Sequence, residues 1–223
     1  MFFGPFLFLY GLILFAILVF WLMLVWIGVI NGVFQAIGLP PDLAFLALLV
    51  SLLGSYINIP LTRVESGELH STEIVTSFGV RYRIPIRYAD RSTVIAVNVG
   101  GAIVPVAISA YVLTLWPAML WHAAIGVAIV SLVVHRFARP VPGMGIATPL
   151  FIPPIVAAIC GWVLGGHHAD VVAYVSGVIG TLIGADLLNL NKIKGLGAPV
   201  ASIGGAGTFD GIFLTGIVAV LLA

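Results

Sequence analysis

The sequence predicts an all-α polytopic membrane protein of seven transmembrane helices, with a cytoplasmic β-hairpin between helices two and three. The whole chain, residues 1–223, reads as a single membrane domain with residues 62–92 as the hairpin insertion. Three observations carry this. First, 61% of the residues are hydrophobic and 8% charged, with a mean hydropathy of +1.23; a soluble domain is about 45–50% apolar and about 25% charged. Second, apolar stretches close to spanning length recur along the chain. Third, all nine basic residues fall between alternate stretches. This composition excludes a soluble enzyme and a disordered chain. A formal net charge of +1 gives no field to recruit nucleic acid. Cys160 is the single cysteine, so there is no internal disulfide and no Cys-based zinc site.

A crossing needs about 20 mostly apolar residues to traverse about 30 Å of hydrocarbon. Span one covers 6–31, carries no charge and is too long for a signal-peptide core. Span two covers 43–59, span three 93–115 and span four 118–134. Span five, 146–164, is interrupted by Pro149, Pro153 and Pro154. Span six covers 171–190, and span seven lies within 199–223. Arg63, Arg81, Arg83, Arg87 and Arg91 then follow span two, Arg136 and Arg139 follow span four, and Lys192 and Lys194 follow span six. These loops share a face with the N-terminus. The positive-inside rule makes that face cytoplasmic, with the C-terminus outside. Trp116 and Trp121, at the opposite boundary, read as interfacial anchors.

In the largest loop Val80, Tyr82, Ile84, Ile86 and Tyr88 alternate with Arg81, Arg83, Pro85 and Arg87. Period two predicts a strand with one apolar and one basic face. Ser77-Phe78-Gly79 can turn it back on 72–76 as a hairpin, and Pro85 confines it to an edge. It reads as a lid whose arginines lie near lipid phosphates, or as an edge that pairs with an extended peptide. There is also an internal echo. Gly54-Ser55-Tyr56 resembles Gly184-Ala185-Asp186, and Val99-Gly100-Gly101-Ala102 resembles Ile203-Gly204-Gly205-Ala206. The spans concerned are four apart, so the copies would run parallel.

Six of the eight acids fall in loops or at ends: Asp42, Glu65, Glu68, Glu73, Asp90 and Asp170. Asp186 and Asp210 fall within spans six and seven, with no Lys or Arg in any span to neutralise them. A carboxylate there costs at least about 2.5–3.5 kcal/mol on insertion scales, so it normally faces a bundle interior or a water-filled cavity. Gly204-Gly205-Ala206-Gly207 makes a poor helix interior. A seventh helix beginning near Gly207 would set Asp210 in its first turn, near the depth of Asp186. Gly180…Gly184 and Gly207…Gly211 have the spacing that permits close helix contact. Two carboxyls meeting there would share one proton. One would act as base on a water and the other as acid on a scissile carbonyl.

This constellation resembles the active-site layout of presenilin and signal-peptide-peptidase type intramembrane aspartyl proteases. In that family the first aspartate lies on a span running toward the cytoplasm, and the second follows a Gly-rich turn on the next span. The resemblance covers two spans and implies Asp186 and Asp210 as the catalytic pair. The motifs depart: Ala185 stands where the family has tyrosine, and Gly207 matches the first glycine of Gly-x-Gly-Asp while Phe209 replaces the second. A second resemblance covers nearly the whole chain. Asn58-Ile59-Pro60-Leu61, Val94-Ile95-Ala96-Val97-Asn98-Val99-Gly100-Gly101, Gly184-Ala185-Asp186-Leu187-Leu188-Asn189-Leu190 and residues 195–211 look like a prokaryotic integral membrane family catalogued as domain of unknown function 1614. It implies a multi-pass protein of the prokaryotic inner membrane and carries no known activity.

The same residues admit an ion-coupled transporter. Asp186 and Asp210, with Asn58, Asn98 and Asn189, would coordinate a proton or cation beside unwound backbone at Gly204, Gly205 and Gly207. A third reading is a non-catalytic scaffold or lipid-binding protein. The partners expected are membrane lipids and a transmembrane peptide or small ion, without nucleic acid. No cofactor or metal is expected, because adjacent His167 and His168 do not share a helix face.

Overall fold

The computed structural model describes residues 5–65, 75–77, 80–82, 92–141, 145–195, 200–205 and 211–223. Among these, the α-helices are α1 (Pro5–Ala36), α2 (Pro41–Gly54), α3 (Val104–Leu115), α4 (Leu120–Phe137), α5 (Ile152–Leu164), α6 (Ala169–Thr181) and α7 (Gly211–Leu222). The strands are β1 (Asn58–Glu65), β2 (Val75–Ser77), β3 (Val80–Tyr82), β4 (Ser92–Asn98), β5 (Arg139–Val141), β6 (Gly145–Ala147) and β7 (Val200–Ile203). The chain is mainly helical, and its seven helices follow the seven apolar stretches in order.

Three helical segments are long and apolar enough to cross a membrane: Leu12–Ala36, Pro117–Phe137 and Gly166–Lys192. The others are shorter than the sequence suggests, and strands account for the difference. Span two stops at Gly54, with Ile59 already in β1. The first residues of span three form β4, followed by a π-helical turn, Val99–Ile103, that opens α3. Thr93, Val94, Ile95 and Val97 are β-branched, which favours the pleated backbone. In a continuously apolar run, periodicity cannot separate a buried strand from a helix. Span five begins as helix only at Ile152, where Pro153 and Pro154 occupy the first turn and need no intrahelical N–H partner. Residues 200–203 of span seven form β7.

Helix α6 is the axis of the body. Every residue from Val171 to Val178 is buried, and α3, α4, α5 and α7 pack around it. Small residues set the close approaches. A Cβ on Gly177 would lie 3.2 Å from both Ala157 Cβ and Thr215 Cγ2, and one on Gly216 would lie 2.8 Å from Val178 Cγ2. On another face, Gly180 and Gly184 press on Val130 and Ser131 of α4. Helix α1, about 48 Å long at 1.5 Å per residue for its 32 residues, joins the body, among the side chains described from Leu12 onward, through its last turns. There Ile30, Val33 and Phe34 are buried, with Phe34 edge-on to Tyr174 at 6.3 Å and to Phe213 at 6.1 Å. The large apolar residues from Leu12 to Val29 are exposed.

The two ends of the bundle differ in kind. At one end, the Gly38 turn (φ +99°) lies against Leu115 and Trp116, and Trp116 stacks on His168 with ring centroids 4.1 Å apart. At the other end lie the strands. β4 is the centre of a three-stranded sheet in the order β1-β4-β7. β1 and β4 are antiparallel, from Asn58↔Asn98 to Glu65↔Ser92, with an irregularity between Pro60 and Thr62. β4 and β7 are parallel, from Val94↔Val200 to Val97↔Ile203. Ile95, Ala201 and Ile203 form their common core with Ile146 of β6. The hairpin insertion is therefore rooted at Asn58 and Asn98. β2 and β3 pair antiparallel, Val75↔Tyr82 to Ser77↔Val80, where a hairpin is expected. Phe78, Gly79 and 83–91 lie outside the described residues. The echoed segments also meet: β4 runs through Val99–Ile103 into α3, beside β7, which ends at the Gly204-Gly205 turn.

Candidate functional site

Asp186 closes a π-helical turn, Leu182–Asp186, that continues α6. Gly184 allows this turn to lie directly on α4: a Cβ there would sit 2.5 Å from Ser131 O and 2.9 Å from Val134 Cβ. Carbonyls at a helix end need outside donors. Asn189, which is fully buried, supplies them, its Nδ2 donating to Gly184 O at 3.0 Å and Ala185 O at 2.9 Å. Those two bonds fix the amide orientation. Asn189 Oδ1 then finds no partner among the described residues.

The Asp186 carboxyl reaches β7. Its Oδ2 accepts the Gly204 N–H at 2.8 Å. Gly204 and Gly205 both have positive φ, +84° and +82°, a conformation that glycine adopts without steric cost. This turn stands on the π-helical turn Val99–Ile103. A Cβ on Gly204 would fall 2.6 Å from Ala102 Cβ, and one on Gly101 would collide with Gly204 O.

That neighbouring turn is held by Asn98. It is fully buried. Its Oδ1 accepts the Gly101 N–H at 2.7 Å, and its Nδ2 donates to Ser55 O at 2.8 Å and Asn58 Oδ1 at 3.1 Å. Asn58 Oδ1 also accepts from Ser202 Oγ at 2.6 Å, which ties β1 to β7 across β4. Ser51 Oγ donates to Gly100 O at 2.7 Å and fixes α2 to the same turn.

Of the expected site residues, Asn58 and Asn98 are in contact, and Asp186 is joined to Gly204, with Gly205 next in the turn. Asn189 is used differently, as a cap on the turn that carries Asp186. Gly207 and Asp210 lie outside the described residues, so the separation of the two carboxyls is not part of this geometry. Ser51, Ser55 and Ser202 belong to the constellation without having been expected. Serine is common in apolar helices and strands, and only the long-range bonds of the Ser51 and Ser202 hydroxyls and of the Ser55 carbonyl distinguish these three.

The arrangement puts a carboxyl where the extension of α6 meets the glycine turn at the end of β7. β7 is an edge: among the described residues, no strand pairs with its outer side. Val200, at its start, is 47% exposed. No curated protein and no solved structure matches the chain. A family model, described as "Protein of unknown function (DUF1614)", matches residues 52–222, which include β1, β4, β7, Asn58, Asn98, Asp186, Asn189 and Gly204, and the chain belongs to that family.

Proposed function

We propose that the chain is a multi-pass protein of the cell membrane, with its N-terminus and sheet end in the cytoplasm, and that Asp186 and Asp210 act as an aspartic pair on a membrane-embedded peptide. The observation that carries this is the Asp186–Gly204 hydrogen bond, which ties the acid of α6 to the turn opening the segment that contains Asp210. Arg63, Arg136, Arg139 and Lys192 all belong to segments at the sheet end, which supports a cytoplasmic orientation for that end. The apolar stretches of α2, α3 and α7 each include part or all of a strand of the β1-β4-β7 sheet, whose pairing supplies backbone hydrogen bonds where the chain is not helical. The open edge of β7 supports an extended peptide as substrate: pairing there would carry its backbone to the Asp186 carboxyl.

In this reaction one carboxylate takes a proton from a water, whose oxygen attacks the scissile carbonyl. The other, protonated, carboxyl gives its proton to the carbonyl oxygen. The test is cleavage of transmembrane peptides by the protein in proteoliposomes. Asp186→Asn and Asp210→Asn should each abolish cleavage. The fold should survive in Asp186→Asn, because its side-chain oxygen can still accept the Gly204 N–H. Cleavage by either variant at the wild-type rate would overturn the proposal.

A second reading has its own observation. β4 and β7 lie parallel, and the glycine turns that follow them are in contact, which fits a parallel repeat of the kind that builds transporters. It expects proton-driven uptake that Asp186→Asn abolishes while peptides remain uncut.

A further inference from the structure

Thr181 lies at the end of α6, one π-helical turn before Asp186. It is 2% exposed, and its Oγ1 has no hydrogen-bond partner among the described residues. The other hydroxyls inside the helices behave differently. Ser109, Ser131, Ser176 and Thr215 each donate to a carbonyl three or four residues back, the usual way a membrane helix satisfies a hydroxyl. Thr181 forgoes that bond.

Its direction follows from the packing of its neighbours. Gly177 and Val178, four and three residues earlier, meet Thr215 and Gly216 of α7, so Thr181 lies on the face of α6 turned toward α7. The helices are antiparallel, which brings Thr181 level with the start of α7, near Ile212. Asp186 follows at five residues. A π-helical turn returns to nearly the same face over that interval. Thr181 therefore sits between the α6–α7 contact and the Asp186–Gly204 bond. Burying a hydroxyl there without a partner is costly, and a buried water is the ordinary partner of an otherwise unsatisfied buried polar group.

We propose that Thr181 is a positioning residue that holds a water between α6 and α7, one turn from the Asp186 carboxyl. This rests on the aspartic-pair reading for its role: the held water is the one the carboxyl activates. The hydroxyl oxygen accepts one O–H of that water, which orients the water and leaves its second proton for the carboxyl.

Radiolytic footprinting of the full-length protein in nanodiscs tests this without reference to cleavage. A bound water generates hydroxyl radicals in place and modifies the side chains beside it, even where they are buried. Val178 and Ile212 should be modified well above equally buried residues of α2 and α3 such as Leu48 and Val112. Thr181→Val should lower that modification at least threefold, and Thr181→Ser should retain it. Thr181→Val keeps the shape of the side chain, so a purely packing role would leave the footprint unchanged. Equal modification in Thr181→Val and wild type would overturn the proposal, as would a Thr181→Val variant that melts higher with no change in footprint. Failure of the aspartic-pair reading is seen separately, as cleavage by Asp186→Asn or Asp210→Asn with the Thr181 footprint intact.

Discussion

Replacing Gly100 by alanine would put a methyl group where the backbone of α2 already lies. A Cβ at Gly100 would collide with Ser51 O and sit 2.5 Å from Ser55 N and 2.9 Å from Ser51 C. All three are main-chain atoms of a packed helix end and cannot swing aside. Overpacking of this kind costs about 1–3 kcal/mol, more where backbone must move. Separating α2 from the turn also strains the Ser51 Oγ–Gly100 O bond of 2.7 Å, worth about 1 kcal/mol. The expected loss is therefore about 2–4 kcal/mol. At about 2–4 °C per kcal/mol for a chain of this size, the midpoint should fall by about 5–15 °C. Gly28→Ala is the internal control. Nothing lies within 4 Å of a Cβ at Gly28, and alanine is about 1 kcal/mol the better helix former, so stability should hold or rise. Thermal unfolding in one detergent, followed by circular dichroism, reads both. If Gly100→Ala melts with the wild type, the close contact between α2 and the 99–103 turn is wrong.

Asn98→Ala removes the partners of Ser55 O and the Gly101 N–H inside the body, so it should cost about 2–5 kcal/mol, measured in the same melts. Asn58→Ala removes the shared acceptor of Asn98 Nδ2 and Ser202 Oγ, but Asn58 is exposed and Asn98 keeps its bonds to Ser55 O and the Gly101 N–H, so it should cost less than Asn98→Ala. Gly204→Ala forces a side chain into φ +84°, which costs about 1–2 kcal/mol, and drives it onto Ala102. It should melt lower than Gly205→Ala. Under the aspartic-pair reading it should also abolish cleavage, because the donor to Asp186 is displaced.

Much of the helical architecture could be read from composition and spacing. Seven apolar stretches correspond to seven helices, and the hairpin appears at Val75–Tyr82. β4 was hidden in a run, Val94–Val97, that is apolar at consecutive positions, β7 has only four residues, and β1, with Asn58, Thr62, Arg63 and Glu65, straddles the end of span two and the start of the loop. In a continuously apolar run, periodicity does not separate a strand from a helix. The parallel β4–β7 pair was prefigured only by the echo between Val99–Ala102 and the glycine turn after Ile203. The asparagines were visible as polar residues in apolar surroundings, but their tasks were not. Asn98 fastens a turn and Asn189 caps one, and both tasks depend on carbonyls and amides contributed from elsewhere in the chain. Thr181 carried no signal at all, since a threonine in an apolar helix ordinarily bonds to its own backbone.

The most direct test of the account is whether residues 186 and 210 meet. With Cys160 replaced by alanine, Asp186→Cys and Asp210→Cys can be joined by a thiol reagent spanning less than about 10 Å, the greatest separation at which both carboxyls could reach one water. Gly177→Cys with Thr215→Cys serves as the positive control, because those positions are in contact. Rapid cross-linking of both pairs is the predicted result. Cross-linking of the 177–215 pair with none at 186–210 would contradict the aspartic pair.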